Sequence, residues 1–369
     1  MKRILQIVGS MDRGGAETMV MNLYRVIDRS KYQFDFVYFT SKQVCDYDKE
    51  ITELGGRIFR LPIKNPLKRV GALRDLLRSH PEWKTVHCHT LFANAFNLYA
   101  AFKEGVPQRI AHSHSTANQS EHKWVGGLYQ KWARAAMAKY ATHFVACGEA
   151  AGRYLFPNQD NVLMFPNAVN SEYFARMART QKDFLRRQYG LGQQTIIVLQ
   201  IGRLSKVKNH EFSIAIAAKM KARGLDFRMF FAGQGDLESD LKALTHEQGL
   251  NDNIIFLGIR SDVPELMAGA DVLLMPSFHE GFPVTLVEAQ ASGLPCVIAD
   301  TISPEVDLGG GLVRFLSLTK NMEEWIESIL NFNRHHVAEV HQEKSRENLI
   351  QKGFDIRDSV LKIQELYMC

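Results

Sequence analysis

Residues 271–300, DVLLMPSFHEGFPVTLVEAQASGLPCVIAD, contain two apolar segments separated by a turn and a helical pattern. The segments DVLLMPS and PCVIAD have the length and composition of buried strands, and residues 285–291 have the spacing of a helix. A strand, a helix and a second strand in this order form the unit of a parallel sheet covered by helices. Glu280 lies beside the turn Gly-Phe-Pro, and Glu288 lies within the helix. The stretch therefore predicts an α/β fold with two carboxylates near a strand end.

The same alternation of short apolar segments and longer helical segments continues through most of the chain, in two series. The strand segments of the first series are RILQIV, FDFVYF, KTVHCH, QRIAHSH and THFVAC, and those of the second are TIIVLQIG, FRMFFAG, IIFLG, DVLLMPS and PCVIAD. We therefore predict two doubly wound, Rossmann-like α/β domains, each with its own parallel sheet. Ligands of such sheets bind at the carboxyl ends of the strands, so two domains facing each other would form a cleft for them.

The domain boundary is predicted within residues 166–191, a polar and weakly patterned stretch with asparagine-rich turns. We expect an N-terminal domain over residues 1–170 and a C-terminal domain over residues 171–354. The C-terminal segment has helical patterns without a strand pattern among them. Its last helix, at about 355–369, is expected to pack back onto the N-terminal domain.

Length, charge and cysteine content narrow the class of protein. A chain of 369 residues is too long for one ordinary core. Its 45 basic and 40 acidic residues leave a formal charge of +5, which suits an anionic ligand or membrane surface but is too small to indicate nucleic acid binding. The five cysteines include no C-x-x-C pair, so neither disulfides nor a thiolate zinc site is indicated. Since no apolar run reaches the ~20 residues of a membrane span and no secretory leader is recognisable, we expect a cytoplasmic protein.

A glycine pair, Gly14 and Gly15, lies between the first strand and the first helix, in VGSMDRGGAE. Such a turn lets backbone N–H groups approach a phosphate closely, and the helix N-terminus favours a negative charge. The spacing matches neither G-x-G-x-x-G nor the phosphate loop of nucleoside triphosphatases. A phosphate-binding loop and a plain tight turn therefore remain equal alternatives for this pair.

Two H-x-H pairs, His87 with His89 and His112 with His114, end two of the first-series strands. Residues i and i+2 of a strand share a face, so the two rings of each pair point the same way. Four imidazoles could bind zinc, which makes a zinc hydrolase one alternative. No accompanying carboxylate pattern such as H-E-x-x-H is present, and histidines at strand ends also donate to ligand oxygens. We favour the second interpretation.

Basic and glycine residues follow the second-series strands. In QIGRLSKVKNHE, Gly202 ends a strand, and Arg203 and Lys208 precede a helix. Two fixed positive charges near a helix N-terminus are suited to binding a diphosphate. We favour this interpretation over an ordinary solvated basic loop. Gly233 and Gly258 end two further strands, where they form either ordinary turns or loops that lie flat against a base or sugar.

The turn in HEGFPVTLVEA is expected to place free backbone amides beside Glu280. Gly281 allows a tight fold that leaves the N–H groups of Gly281, Phe282 and Val284 unpaired, whereas Pro283 has none. Free amides beside Glu280 suit a ligand with both hydroxyl and phosphate groups.

Together these motifs resemble those of the retaining family 4 glycosyltransferases. GRLSKVKN followed by HEGFPVTLVEAQASGLPCV is similar to the family's donor-site motifs, and Glu280 and Glu288 match its E-x7-E pattern. GSMDRGGAE resembles the family's first loop, VHCH and RIAHSHS its histidine-bearing strand ends, and IIFLGIRSDVPELMAGADVLLMPS its base-side segment. The resemblance covers nearly the whole chain and is most specific in the C-terminal half. It implies the two-domain GT-B fold and a hexosyltransferase similar to those of bacterial exopolysaccharide synthesis.

The resemblance also implies residue roles. The expected catalytic set is His114, Arg203, Lys208 and Glu280, with His112 in reserve because the register of H-S-H is ambiguous. Arg203 and Lys208 would neutralise the leaving diphosphate, Glu280 would contact the transferred sugar and Glu288 would hold the ribose. The remaining donor-binding residues expected are Gly14, Gly15, Gly202, Gly233, Gly258, Ile259, Gly281, Phe282, Pro283 and Val284.

The expected mechanism is a front-face displacement from a UDP- or GDP-sugar, because no carboxylate nucleophile is evident in the N-terminal domain. No metal is expected, since Arg203, Lys208 and helix N-termini would stabilise the departing charge. Domain closure is expected to gate the reaction. Two departures from the family pattern are NAVN at residues 167–170, where relatives have N-G-V-D, and Asn209 in place of a glycine.

Three alternatives remain beside the transferase: a sugar-nucleotide epimerase on the same fold, the zinc hydrolase, and a non-catalytic sugar-nucleotide sensor. A glycan or lipid-linked acceptor is expected. The segments LPIKNPLKRVGALRDLLRSH and HKWVGGLYQKWARAAMAKY combine basic with aromatic and aliphatic residues. They suit either peripheral contact with the anionic inner face of the cell membrane or ordinary helices that cover the sheet.

Overall fold

The computed structural model describes residues 1–12, 14–115, 123–319, 321–333 and 339–368. These residues form two compact units. The first unit comprises Met1–Ala168 together with the chain from Ile356 onward, and the second comprises Val169–Asp355.

The described residues of the first unit form one sheet of seven parallel strands, in the order β3-β2-β1-β4-β5-β6-β7. The strands are β1 (Lys2–Val8), β2 (Tyr32–Tyr38), β3 (Arg57–Arg60), β4 (Trp83–Cys88), β5 (Gln108–Ser113), β6 (His143–Ala146) and β7 (Val162–Met164). The helices between them are α1 (Gly15–Val26), α2 (Asp48–Glu53), α3 (Pro66–Ser79), α4 (Asn94–Lys103), α5 (Lys123–Tyr140) and α6 (Glu149–Leu155).

Both faces of this sheet are covered by helices. Successive residues of a strand point to opposite faces. Ile4 of β1 accordingly belongs to the apolar cluster that contains α1, whereas Leu5 belongs to the cluster that contains α3 and α4. The first unit is therefore doubly wound.

The described residues of the second unit form a sheet of six parallel strands, in the order β10-β9-β8-β11-β12-β13. The strands are β8 (Ile196–Ile201), β9 (Phe227–Ala232), β10 (Ile254–Gly258), β11 (Val272–Met275), β12 (Cys296–Ala299) and β13 (Val313–Leu316). The helices are α7 (Ser171–Thr180), α8 (Phe184–Tyr189), α9 (His210–Ala222), α10 (Glu238–Glu247), α11 (Val263–Gly269), α12 (Val284–Ala291), α13 (Met322–Asn331) and α14 (Glu339–Gln351). Leu199 and Val198 of β8 lie in different apolar clusters, one with α11 and α12 and the other with α9 and α13.

The final helix, α15 (Ile356–Met368), packs on the first unit. Its residues Ile356, Ile363 and Tyr367 are buried in the cluster that contains Ile4 and α1. The segment that completes the core of the first unit therefore follows the whole second unit in the sequence. The predicted architecture of two doubly wound Rossmann-like α/β domains is confirmed.

Residues 166–191 are more regular than the sequence pattern predicted, because they contain α7 and α8. The side chain of Asn170 accepts a hydrogen bond from the Tyr173 N–H and so caps the start of α7. Three strands were also missed, β3, β7 and β13, of four, three and four residues. All three lie at sheet edges. A short edge strand pairs on one side only and shows little apolar periodicity, so the sequence pattern does not identify it.

A buried ion pair ties α8 to the sheet of the second unit. The guanidinium of Arg186 lies 2.9 Å from the Asp271 carboxylate, and their side chains are 5% and 4% exposed. Arg186 also donates to the Thr195 carbonyl, and the Asp271 carboxylate accepts from the Ile197 N–H. Because each charge is desolvated, either one alone would be unstable in this position.

Replacement of Arg186 by alanine is expected to destabilise the protein by about 3–5 kcal/mol, because the Asp271 charge would remain buried without its partner. The measurement is the free energy of unfolding in urea. The matched control is Arg187→Ala, at the exposed neighbouring position, which should change that free energy by less than about 0.5 kcal/mol. Equal effects of the two substitutions would contradict this role for the ion pair.

Candidate active site

The loop after β8 contains the predicted basic residues and depends on two unusual backbone conformations. Gly202 has a φ of 151°, and Asn209, directly before α9, has φ 54° and ψ 46°. Asparagine tolerates this left-handed region better than most residues, which explains how it replaces the glycine of the family pattern. The Asn209 side chain is buried and donates to the Pro276 carbonyl at 3.0 Å.

The loops after β8 and β11 are bound to each other, because these strands are neighbours in the sheet and end at the same edge. Besides the Asn209 bond, the Phe278 N–H donates to the Val207 carbonyl at 2.8 Å. The Thr301 hydroxyl, just after β12, donates to the Ser277 carbonyl at 2.7 Å. Hydrogen bonds therefore connect the loops of three consecutive strands.

Lys208 and Glu280 form an ion pair at this edge, with 2.6 Å between Nζ and Oε1. Their side chains are 20% and 12% exposed. The lysine side chain lies over Gly202, where a Cβ would come within 2.9 Å of Lys208 Cε. Gly202 is thus favoured by its backbone conformation, and a side chain at this position would also displace the end of the Lys208 side chain.

Arg203 differs from Lys208 in having no compensating charge. Its side chain is exposed. In the described part of the chain, no hydrogen bond or ion pair of its guanidinium is present. The basic loop therefore presents one neutralised lysine and one available arginine.

The loops after β9 and β10 lie against the basic loop at backbone contact. Gly233 has a φ of 148°, and a Cβ on it would lie 2.0 Å from the Gly202 carbonyl oxygen. The Gly202 N–H donates to the Ala232 carbonyl, and the Gly233 N–H donates to the Gly258 carbonyl at 2.8 Å. Ile259, directly after β10, is 45% exposed and provides an apolar surface at the same edge.

The turn Gly-Phe-Pro leads directly into α12. Pro283 precedes the helix, and the Phe282 ring stacks on Phe354 with 5.2 Å between ring centroids and 2° between ring planes. Among the described residues, the backbone N–H groups of Gly281, Phe282 and Val284 donate no hydrogen bond. Glu288 lies one helical turn beyond Val284 and is half-buried. The turn thus offers amide donors beside the Glu280 carboxylate.

Gly14 and Gly15 lie in the first unit, at the N-terminus of α1. Gly14 has an extended backbone, so its backbone conformation does not require a glycine. A Cβ on Gly14 would lie 2.3 Å from the Glu17 carboxylate, whereas none of the surrounding atoms would lie within 4 Å of a Cβ on Gly15. The glycine at position 14 therefore makes room for Glu17.

The four histidines also lie in the first unit and form what we call the histidine network, whose members are Gln6, His87, His89, His112, His114 and Tyr367. The rings of His87 and His112 are hydrogen-bonded at 3.1 Å, and those of His89 and His114 at 2.8 Å. Burial lowers the pKa of His87 and of His114 to about 3. All four imidazoles are thus neutral at pH 7.

The histidine network bears on both the metal alternative and the choice between His112 and His114. Nitrogens of His87, His89 and His112 lie within 4.8 Å of one another, and no carboxylate belongs to this group in the described residues. A metal ion bound there would have to replace the hydrogen bonds between the rings. His112 is completely buried within β5, whereas His114 follows the strand and is half-buried.

The structure thus brings Gly202, Arg203, Lys208, Gly233 and Glu280 together at one sheet edge, with the other predicted donor-side residues of the second unit beside them. Gln200, Thr301 and Phe354 also support this edge and were not predicted from the sequence. The Gln200 side chain donates to the Lys208 carbonyl at 2.9 Å and accepts from the Ser213 hydroxyl at 2.7 Å. A buried glutamine in the apolar strand IIVLQI was a recognisable signal.

Comparisons with known proteins identify the family of the chain. The family described as "Glycosyl transferases group 1" matches residues 181–355, and "Glycosyltransferase Family 4" matches residues 13–173. The chain is 39% identical to the putative glycosyltransferase EpsF of Bacillus subtilis, over 99% of this chain and 96% of that protein. It is 24% identical to the UDP-Gal:alpha-D-GlcNAc-diphosphoundecaprenol alpha-1,3-galactosyltransferase of Escherichia coli, over 96% and 93% of the two chains.

A crystal structure of Anabaena HepE in complex with UDP-glucose has the same fold, with a TM-score of 0.78, 18% identity and full coverage of both chains. This likeness shows that the chain has the GT-B fold. The 39% identity to the Bacillus subtilis protein and the two family matches show that the chain belongs to the glycosyltransferases these families describe and is a transferase. The epimerase and zinc hydrolase alternatives receive no support from these relatives.

Replacement of Gly233 by alanine is expected to destabilise the second unit by at least about 2 kcal/mol, because the new Cβ collides with the Gly202 carbonyl. Amide hydrogen exchange should also lose protection at Gly202 and Leu204. Gly224→Ala is the matched control, because its φ is 70° but its Cβ would meet open space; it should cost only about 1 kcal/mol. Unchanged exchange at Gly202 in the Gly233 variant would refute the contact.

Proposed function

We propose that the protein is a retaining hexosyltransferase that moves a sugar from a UDP-sugar to a hydroxyl of a glycan or lipid-linked acceptor in surface polysaccharide synthesis. The observation that carries this proposal is the sheet edge where Lys208 pairs with Glu280 beside the available charge of Arg203. The relatives support the finer assignment, since the name of the Escherichia coli protein specifies UDP-Gal and the Anabaena structure contains UDP-glucose.

The donor diphosphate is assigned to Arg203 and Lys208. Arg203 provides an uncompensated guanidinium, and its planar fork suits phosphate oxygens. Lys208 is held by Glu280 at 2.6 Å, so its ammonium is already oriented and loses little conformational entropy when a phosphate binds. Both cations lie where negative charge develops as the diphosphate departs.

The sugar and nucleoside are assigned to the groups on either side of the diphosphate. Glu280 accepts hydroxyl hydrogens of the transferred sugar, and the amides of Gly281, Phe282 and Val284 donate to oxygens. Glu288, one turn further along α12, holds the ribose. The exposed face of Ile259 with the Gly258 backbone supports the base. Gly14, Gly15, His112 and His114 belong to the first unit, and the roles that the resemblance gives them stay predictions.

The chemical step follows from these assignments. The bond between the sugar C1 and the diphosphate oxygen breaks, and the bond from the acceptor oxygen to C1 forms on the same face. The proton of the acceptor hydroxyl passes to an oxygen of the leaving diphosphate. Arg203 and Lys208 stabilise that oxygen without a metal ion, so the protein contributes positioning and electrostatic stabilisation.

A thermal-shift comparison of UDP, GDP and ADP, each with and without EDTA, tests the donor assignment. A nucleotide at 100 times its dissociation constant stabilises the folded protein by about 2.7 kcal/mol. We expect a shift with UDP alone, indifferent to EDTA. A larger shift with GDP or ADP would overturn the uridine assignment, and loss of the shift in EDTA would overturn metal independence.

Lys208→Ala is expected to lower kcat at least about a hundredfold, because the lysine acts mainly on the leaving charge. Its effect on stability should be smaller than that of Arg186→Ala, because Glu280 remains partly exposed to water. The measurements are the initial rate of sugar transfer and the thermal midpoint. Lys206→Ala is the matched control, an exposed lysine in the same loop, and should retain the wild-type rate. Transfer at a normal rate by the Lys208 variant would remove this role.

We further propose that α4 and α5 of the first unit contact an anionic bilayer. Leu128, Tyr129 and Trp132 on α5 are 78%, 37% and 47% exposed, and the Trp132 ring packs on Phe96 of α4 with 4.9 Å between centroids. Residues 123–148 contain several lysines and arginines but no acidic residue. Exposed apolar rings beside basic groups suit the boundary of an anionic membrane. In the described part of the chain, no helix has the length and hydrophobicity needed to cross a bilayer.

Sedimentation with vesicles tests this contact. We expect binding to phosphatidylglycerol vesicles at low salt, weaker binding at high salt and little binding to phosphatidylcholine vesicles. The double variant Leu128→Ser/Trp132→Ser should lose most of this binding. Leu361→Ser, an exposed leucine on α15, serves as the control and should bind like wild type. Equal sedimentation of wild type and the double variant would remove the proposed surface.

A further inference from the structure

The histidine network is a polar row inside an apolar core. Gln6, His87 and His112 lie on the three neighbouring strands β1, β4 and β5, and each is at most 1% exposed. The ring of Tyr367, from α15, covers the row and is also buried. Buried polar groups are stable only when their hydrogen bonds are made, so the direction of each bond in this row matters.

The first branch of the network runs from Gln6 through Tyr367 to two histidines. The distances are 3.1 Å from Gln6 Nε2 to the Tyr367 hydroxyl, 2.8 Å from that hydroxyl to His87 Nδ1, and 3.1 Å from His87 Nε2 to His112 Nδ1. An amide NH2 group only donates. The Tyr367 hydroxyl therefore accepts from Gln6. Its own O–H is buried and needs an acceptor, and among its described partners His87 Nδ1 is the atom that can accept, so we infer that it donates to His87 Nδ1. His87 then has its proton on Nε2 and donates to His112, whose own proton is on Nε2.

The second branch begins at the other atom of the same amide. Gln6 Oε1 lies 2.9 Å from His89 Nε2, and His89 Nδ1 lies 2.8 Å from His114 Nε2. A carbonyl oxygen only accepts, so His89 donates from Nε2 and accepts at Nδ1. The proton of His114 is consequently on Nε2, and its Nδ1 presents a lone pair. Turning the Gln6 amide over would reverse both branches together, so the tautomers of all four rings are set as one group.

We propose that Gln6 and Tyr367 are positioning residues that hold His87, His89, His112 and His114 in a single set of tautomers, each protonated at Nε2. Among the described residues the set has two buried ends without a hydrogen-bond partner, the Nε2–H of His112 and the Nδ1 of His114, and of these only His114 Nδ1 presents a lone pair. A lone pair at that position accepts from an O–H group of a ligand and rejects a bare carbonyl or phosphate oxygen. This step rests on the proposed function: the ligand group is a hydroxyl of the sugar substrate.

The structure also explains why the network includes the last helix of the chain. In the described part of the chain, the group bonded to His87 Nδ1 is the hydroxyl of Tyr367. This residue of α15 lies 280 residues further along the chain. Without that hydroxyl, the first branch has no group that decides which nitrogen of His87 is protonated. The second branch would keep its hydrogen bond to Gln6 Oε1 and would therefore be affected less, although Gln6 Nε2 would lose its acceptor. The two branches therefore give different responses to substitution.

Nitrogen-15 NMR of histidine side chains in the full-length protein tests the proposal, because the two ring nitrogens of each neutral tautomer give distinct signals. We expect all four rings of wild type to be protonated at Nε2. In Tyr367→Phe, His87 and His112 should show mixed tautomers, whereas His89 and His114, which keep the bond to Gln6 Oε1, should change less. In Gln6→Met, both branches should become mixed. Tyr32→Phe is the matched control, because Tyr32 packs on Tyr367 with 6.2 Å between ring centroids but lies outside the network; it should give the wild-type spectrum.

Two results would overturn the proposal. One is a wild-type spectrum in which any of the four rings is protonated at Nδ1. The other is about one metal ion per chain in the purified protein, with histidine signals that change when EDTA removes it. The wild-type spectrum and Tyr367→Phe decide the matter even if Gln6→Met does not fold.

Steady-state kinetics provide a second readout that depends on the transferase function. Gln6→Met is expected to lower kcat about tenfold with little change in KM for the donor, since one hydrogen bond of a neutral group is mismatched. Tyr367→Phe should lower kcat less, because its branch does not include His114. If wild type had no transferase activity, the proposed function would fail while the NMR result still tested the tautomers.

Discussion

The sheet edge of the second unit that carries Arg203, Lys208 and Glu280 depends on the contact between Gly233 and the Gly202 carbonyl, where a Cβ would lie only 2.0 Å from the oxygen. Because these backbones touch, the loops after β8 and β9 are fixed relative to each other. The basic loop in turn is bound to the loop after β11 by Asn209 and Phe278. The positions of Arg203, Lys208 and Glu280 are therefore consequences of backbone packing in a parallel sheet, whose carboxyl ends share one edge.

The charges at this edge are arranged unequally, and the inequality suits the proposed chemistry. Lys208 is paired with Glu280 and so is held in place, whereas Arg203 is exposed and has no compensating charge among the described residues. In the proposed function a diphosphate would meet one oriented cation and one available cation. The amides of the Gly-Phe-Pro turn, which are unpaired in the described part of the chain, would add donors that need no reorganisation. Groups oriented in advance stabilise a leaving anion more than mobile ones do.

In the first unit the main constraint is the placement of four imidazoles in an apolar core, where their polar atoms need hydrogen bonds. Desolvation lowers the pKa of each imidazole. Two ring nitrogens are hydrogen-bonded to Gln6 or Tyr367, and four more take part in hydrogen bonds between the rings. Tyr367 comes from α15, so the return of the chain to the first unit adds a hydrogen-bonding hydroxyl as well as apolar surface. A C-terminal helix that only covered apolar surface would not need a tyrosine hydroxyl at this position.

The sequence by itself determined the α/β class, the two parallel sheets and the family, because strand periodicity and the motifs around Lys208 and Glu280 are local signals. It did not reveal α7 and α8, the edge strands β3, β7 and β13, or the support that Gln200, Thr301 and Phe354 give the site. Only the tertiary structure decided these, since each depends on partners distant in sequence. The buried charge of Arg186 is stable because Asp271 is opposite it, and His87 is connected to a tyrosine 280 residues away. Burial and pairing of this kind arise from packing, which no local pattern of residues specifies.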